Sequence, residues 1–388
     1  FISYMAIQND FSNFTFDVDG ALKITVYHEF FHAIQFGYAA DDDYWFLEAR
    51  ATAMETIFVP EVIDNFGFLP TLLKYPDISL TSDSEDNKNT DWLGHEYASW
   101  PFFYFIYEKK GGLTTLREMD EIGVLIESIN SDSGIYIIDK VLDAQGSNFL
   151  KTWAEYGLAL MASDQAIKIN EGFEKASIWN FSRFQNLKWE DSLKYLGAQV
   201  SSTSDGRLQG YAFDFWDFTG SKNASLKIES ENQTDFNFSF FTIRADLLEQ
   251  TAHYVSQDGV LHINLPDLSG HQHAWGEVFH KQGKQTQLKY TIELGQADST
   301  LENIPFVDPF ARDVKWDIVK GDLGLYFVLK DGIASIFRAS FWDVKGNLLW
   351  QSSNVVSAEK LFLYRTTIGQ KVFVQIQVDQ ETPQYFAF

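Results

Sequence analysis

Apolar side chains recur every third or fourth residue through the first half of the chain and every second residue through much of the second half. Leu22, Val26, Phe30, Ile34 and Tyr38 mark an amphipathic helix over Ala21 to Tyr38, with Gly37 placed where it can end. Asp43 stands at the cap position of a second helix, Tyr44 to Phe58, which has to stop before Pro60. Beyond the polar loop Thr81 to Asp91, helices are predicted over Glu96 to Lys110, ended by Gly111 and Gly112, and over 114–128, 135–145 and 147–162. From about 205 onward alternation takes over, in Tyr211 to Asp217, Phe236 to Thr242 and 286–294. It returns after Pro305 and Pro309 in Leu325 to Leu329, Ile336 to Trp342, Leu348 to Gln351 and Val372 to Val378, with Lys345-Gly346-Asn347 as a hairpin turn. Short strands at roughly 8 to 12 residue spacing predict β-sandwiches. The expectation is a multidomain α+β chain, with a mainly helical domain over 1–200 and two all-β sandwich domains over 201–300 and 301–388.

Composition narrows the function classes. With 388 residues, 45% of them apolar and 16% aromatic, the chain can fill more than one core. A formal net charge of −24 argues against nucleic acid and anionic membranes as partners, and suits a solvated surface, an extracellular setting or divalent cations. The absence of cysteine excludes disulfides and thiolate metal sites. The apolar run Ala98 to Tyr107 is broken by Pro101 and is far short of the roughly 18 to 20 residues of a membrane span. The chain opens on Phe1 without a basic, signal-like start, and the expectation is a mature or trimmed piece of an exported bacterial protein.

Chemistry concentrates at His28-Glu29-Phe30-Phe31-His32, an HExxH motif on the first predicted helix. Residues i and i+4 share a helix face, so both imidazoles can address one Zn²⁺ at about 2.0 to 2.1 Å. Glu29 is placed beside the ion, where it can act as general base toward zinc-bound water. A catalytic site needs a third protein ligand, and Glu48, separated from His32 by fifteen residues and lying on the next helix, is the candidate.

HExxH followed by Trp45-Phe46-Leu47-Glu48-Ala49-Arg50-Ala51 resembles the gluzincin metallopeptidases, in which the second-helix glutamate is the third ligand. His28 to Tyr38 together with WFLEARATAMETIF is similar to a group of secreted bacterial metalloproteases, as is Met5 to Phe11 upstream. The resemblance covers roughly residues 1–160. It implies a zincin-like domain, peptide or protein substrates, a zinc cofactor and secretion. The departures are Ala49, where the group has glycine, and Arg50, a large charged residue where a small one is usual; either would tilt the second helix or crowd the cleft.

Supporting roles fall to Glu55 or Thr52, either of which can hold a ligand histidine, and to Tyr97 over His95 as a donor to the oxyanion. Gln35 reads as structural. His271 and His273 form an H-x-H pair best read as a plain surface pair, and Asp41 to Asp43 is a Ca²⁺ candidate best read as a solvated loop. Trp216, Trp275, Trp342 and Trp350 are candidates for a glycan- or protein-docking face, with core packing the simpler reading. The rival function is an inactive metallopeptidase-like binding module. An exopeptidase is weaker, because no motif for a substrate terminus is present.

Overall fold

A computed structural model of the chain describes residue 7, residues 17–38, 43–83, 90–123, 133–174 and 184–301, and, beyond these, the backbone of strands between 316 and 387. The chain is mixed α+β and divides into two compact units, Phe1–Phe310 and Ala311–Phe388. Met5 to Phe11 apart from Ile7, the acids Asp41 and Asp42, and the Lys345-Gly346-Asn347 turn lie outside the described residues.

The first unit opens with helices α1 (Val18–Tyr38), α2 (Tyr44–Phe58), α3 (Leu69–Lys74), α4 (His95–Ala98), α5 (Trp100–Lys109), α6 (Leu113–Gly123), α7 (Ser133–Ala144) and α8 (Phe149–Asp164). Helix α1 starts earlier than its apolar pattern indicates, because the Asp17 carboxylate accepts the Gly20 backbone N–H at 2.7 Å and so caps the first turn. Asp43 precedes α2 as expected, but its carboxylate accepts the Gly134 N–H at 3.0 Å and serves α7 instead. The single helix expected over 96–110 is two, α4 and α5, broken at Ser99. Pro101 is the reason: it has no N–H to give to the Tyr97 carbonyl and its ring collides with that carbonyl, so a new helix has to begin around it.

Helix α2 is the centre of the helical layer, buried from Trp45 through Thr56. Helix α1 covers only one of its sides. The side chains α1 buries are those of Ala21, Ile24, His32 and Gln35, while Leu22, Phe30, Ile34 and Tyr38 are exposed and Val26 is half-buried. The four-residue recurrence therefore located the helix, but among the described residues its apolar stripe is the outward face.

Strands follow as β1 (Asp191–Ser192), β2 (Val200–Thr203), β3 (Leu208–Gln209), β4 (Asp214–Asp217), β5 (Ala224–Ser230), β6 (Asn237–Arg244), β7 (Leu247–Val255), β8 (Val260–Leu265), β9 (His273–Phe279), β10 (Gln287–Leu288) and β11 (Tyr290–Gln296). One sheet runs β1-β4-β9-β6-β7, another β2-β11-β5-β8, and β10 pairs with β3. Side chains from the first two sheets, among them Phe238, Phe240, Leu226, Ile263 and Ile292, form one core. The other face of the first sheet carries Phe215, Phe241, Ile243, Trp275 and Phe279 into the core of the helices, joined by Phe213 just ahead of β4. That two-sided covering is why β6 is buried along nearly its whole length. The change from helix to strand near 200 thus falls inside the first unit.

The second unit consists of β12 (Trp316–Gly321), β13 (Gly324–Leu329), β14 (Ser335–Asp343), β15 (Leu348–Val356), β16 (Lys360–Tyr364), β17 (Val372–Val378) and β18 (Gln384–Ala387). They form sheets in the orders β12-β13-β16 and β15-β14-β17-β18. Trp342 and Trp350 lie in β14 and β15.

Candidate metal centre

Helices α1 and α2 bring three donor atoms together. His28 Nε2 lies 3.1 Å from His32 Nε2 and 3.2 Å from Glu48 Oε2, and His32 Nε2 lies 3.4 Å from Glu48 Oε2. Ligands at about 2.0 to 2.1 Å in tetrahedral array stand about 3.3 Å apart, so the triangle has the dimensions of one face of a zinc site. Among the described residues, His28, His32 and Glu48 are the one group of three histidine or acidic side chains whose donors converge in this way.

Each imidazole is held from behind. His28 Nδ1 bonds to Glu55 Oε1 at 2.8 Å, and His32 Nδ1 donates to Gln35 Oε1 at 2.7 Å. Gln35 in turn donates through Nε2 to the Leu47 carbonyl at 3.1 Å. Glu55 therefore fills the supporting role expected of it or Thr52, whose hydroxyl instead donates to the Glu48 carbonyl at 2.9 Å. Gln35 is more than structural: the HExxH-x-x-Q spacing puts it one turn after His32 on the same face, a signal the sequence already contained.

The electrostatics favour positive charge at this point. Burial pushes the His28 imidazole down, but its bonds to Glu48 and Glu55 outweigh burial and raise it to about 9. Burial pushes the Glu48 carboxyl up, but His28 and His32 outweigh it and bring it down to about 2. At Glu55 burial wins, and the carboxyl is raised despite its bond to His28. A proton or a dication is stabilised here by the same carboxylates. The donor set of two imidazoles and one carboxylate, with both outer nitrogens engaged, fits Zn²⁺.

Glu29 is exposed on α1, about 100° around the helix from His28 and about 60° from His32, beside the three donors rather than among them. Tyr97, at the half-buried end of α4, has its ring 6.2 Å from that of His28 and its hydroxyl 3.4 Å from the Tyr44 hydroxyl. Burial and the nearby Glu48 charge raise the Tyr97 hydroxyl, which stays protonated and able to donate. Tyr44 is the residue that sequence reasoning passed over; it lies one turn before Glu48 on α2. His95, the first residue of α4, is buried and lines a small cavity with Trp153 and Tyr156, away from the donors.

The departures at Ala49 and Arg50 do not crowd the centre. Ala49 is fully buried within a regular helix. Arg50 is 0% exposed and directed at α6, where it bonds to Asp120 at 2.6 Å and to the Leu116 carbonyl at 2.9 Å. His271 pairs with Glu249 at 2.9 Å, and His273 packs on Trp275, and among the described residues the H-x-H pair joins no converging group of three. Trp216 and Trp275 are core residues, Trp216 donating to the Tyr290 hydroxyl at 2.8 Å. No described helix is long and apolar enough to cross a membrane.

No known protein family matches the chain, and no curated protein does. Among solved structures, a chain named as a beta-galactosidase of Bacteroides fragilis aligns at 8% identity and a TM-score of 0.14, over 46% of this chain and 33% of that one. A likeness of that size carries no argument about fold or activity.

Proposed function

We propose that this chain is a secreted, zinc-dependent endopeptidase of the gluzincin kind, with His28, His32 and Glu48 as the metal ligands and Glu29 as the general base. The observation that carries the reading is the triangle of His28 Nε2, His32 Nε2 and Glu48 Oε2, with sides of 3.1, 3.2 and 3.4 Å, on two consecutive helices. Bound there, Zn²⁺ would supply Lewis acidity toward a carbonyl oxygen and a lowered pKa for water. The chain's own groups do the rest. Glu29, free on the exposed side of α1, takes a proton from the attacking water and returns it to the departing amine. Tyr97, oriented by Tyr44, donates its hydroxyl to the oxyanion that develops on the scissile carbonyl. The helical part then has a zincin-like role, and the sheets of 201–300 and 301–388 read as two β-sandwiches that support or dock the substrate. The charge of −24 suits an extracellular setting, and the lack of cysteine is compatible with export.

The test is metal analysis read against cleavage of a quenched peptide library. Glu29→Gln is expected to lower turnover by about 10² to 10⁴-fold with one zinc per chain retained. Glu48→Ala is expected to lose the zinc. Full turnover by the Glu29 variant, or a full zinc equivalent in the Glu48 variant, overturns the corresponding assignment. Zinc binding with no turnover by the unaltered chain would favour the binding-module reading.

A further inference from the structure

We infer that Gln35 is a positioning residue: it fixes the tautomer of His32 and ties α1 to α2 at the residue before Glu48. This rests on the zinc reading only for its consequence, since the hydrogen-bond argument holds for the chain alone.

The argument starts from an atom with no freedom. The Leu47 carbonyl can only accept, and a Gln35 amide atom lies 3.1 Å from it, so that atom is the donor Nε2. The amide oxygen is then the atom that faces His32 Nδ1 at 2.7 Å. An amide oxygen can only accept, so Nδ1 carries the hydrogen. The Nε2 atom of neutral His32 is left with its lone pair pointing at His28 Nε2, 3.1 Å away, and Glu48 Oε2, 3.4 Å away. A backbone carbonyl on α2 thereby dictates which nitrogen of an α1 histidine is available to a cation. Gln35 is buried, so water does not compete for either bond. The two histidines are held differently. His28 rests on a carboxylate, which stabilises an imidazolium, whereas His32 rests on a neutral amide, which selects the neutral tautomer without adding charge.

The tie also matters mechanically. Helix α1 buries few apolar side chains, so its seat against α2 depends on polar bonds, and Gln35 reaches the turn that presents Glu48. The ligands of the two helices are thus held in register by two side chains that are not themselves ligands, Gln35 at His32 and Glu55 at His28.

The experiment uses the full chain, isotope-labelled and freed of metal with a chelator. Long-range ¹H–¹⁵N correlation reads each imidazole tautomer, and His32 is assigned by its loss in His32→Asn. The expected result for the unaltered chain is His32 with hydrogen on Nδ1. Gln35→Met, similar in size but with neither donor nor acceptor amide, is expected to shift His32 toward the Nε2–H form and to weaken zinc binding about 10- to 100-fold in a chelator competition. Gln35→Glu keeps an acceptor for Nδ1–H and loses the donor to Leu47, and is expected to keep the tautomer. Finding Nε2–H on His32 in the unaltered chain overturns the proposal without any variant. So does a Gln35→Met chain that matches the original in tautomer and zinc affinity. An unaltered chain with hydrogen on Nδ1 that binds no zinc would leave the tautomer assignment standing and remove the peptidase reading.

Discussion

Glu48 and Arg50 sit two residues apart on α2, about 200° around the helix, and face opposite neighbours. Glu48 meets two imidazoles of α1, while Arg50 meets Asp120 and the Leu116 carbonyl of α6, with the rings of Phe46 and Phe31 at 4.7 and 5.3 Å from its guanidinium carbon. The ligand residues were legible from the motif because their chemistry fixes their spacing. The environment of Arg50 was not, because Asp120 lies seventy residues away and no local pattern joins them. His95 is a second case. Beside the Tyr of Gly94-His95-Glu96-Tyr97 it reads as a site residue, yet burial pushes its imidazole down to about 4. An unfolded histidine titrates near 6.5, so as pH falls the unfolded chain takes up the proton first. The stabilisation is complete above pH 6.5 and is lost between 6.5 and about 4, on the order of 3 kcal/mol in all. Urea unfolding of His95→Gln across that window should show a flatter acid limb than the unaltered chain. Parallel limbs would mean that His95 titrates in the fold as it does in water.

Helix α1 joins the two kinds of periodicity in the chain, one chemical and one hydrophobic, on different faces. The chemical face, His28, His32 and Gln35, turns inward, and the apolar stripe of Leu22, Phe30 and Ile34 turns outward. A period in the sequence locates a helix but says nothing about which neighbour each face will meet, and here polar atoms paired across the helix interface take the inward place. Ile24→Ala, which removes a buried side chain, is expected to destabilise the chain by about 2 to 5 kcal/mol. Phe30→Ser on the outward stripe should change stability by about 0.5 kcal/mol or less. Thermal melts of the two variants check the pair, and a Phe30 variant that loses as much as the Ile24 variant would show that the stripe is covered. The break between α4 and α5 was legible in principle, since Pro101 stands in the middle of the expected helix, but the run of aromatics around it masks the signal.

At the scale of the molecule, the strand-rich half was recognised by alternation, and Val372–Val378 appears as a strand with the expected bounds. The position of the helix-to-strand change is a poor guide to where the chain divides, because packing follows contact rather than secondary-structure type. Phe215, Phe241, Ile243, Trp275 and Phe279 of the first sheet, with Phe213 just ahead of β4, complete the core of the helices. Their burial contributes on the order of 10 kcal/mol, comparable with the roughly 5 to 15 kcal/mol that holds a whole domain together. A fragment ending at 200 is therefore expected to melt without cooperativity, whereas one ending at 310 should melt in a single step by circular dichroism. A sharp melt and native helix content in the shorter fragment would show that the helices suffice by themselves.

The shared aromatic seam has a bearing on how such a protein can vary. Its inner strands act as a foundation laid under the helices, so an exchange of modules at the point where helices give way to strands would strip α8 of its footing. Grafting the three donors onto a new partner sheet means recasting that floor ring by ring.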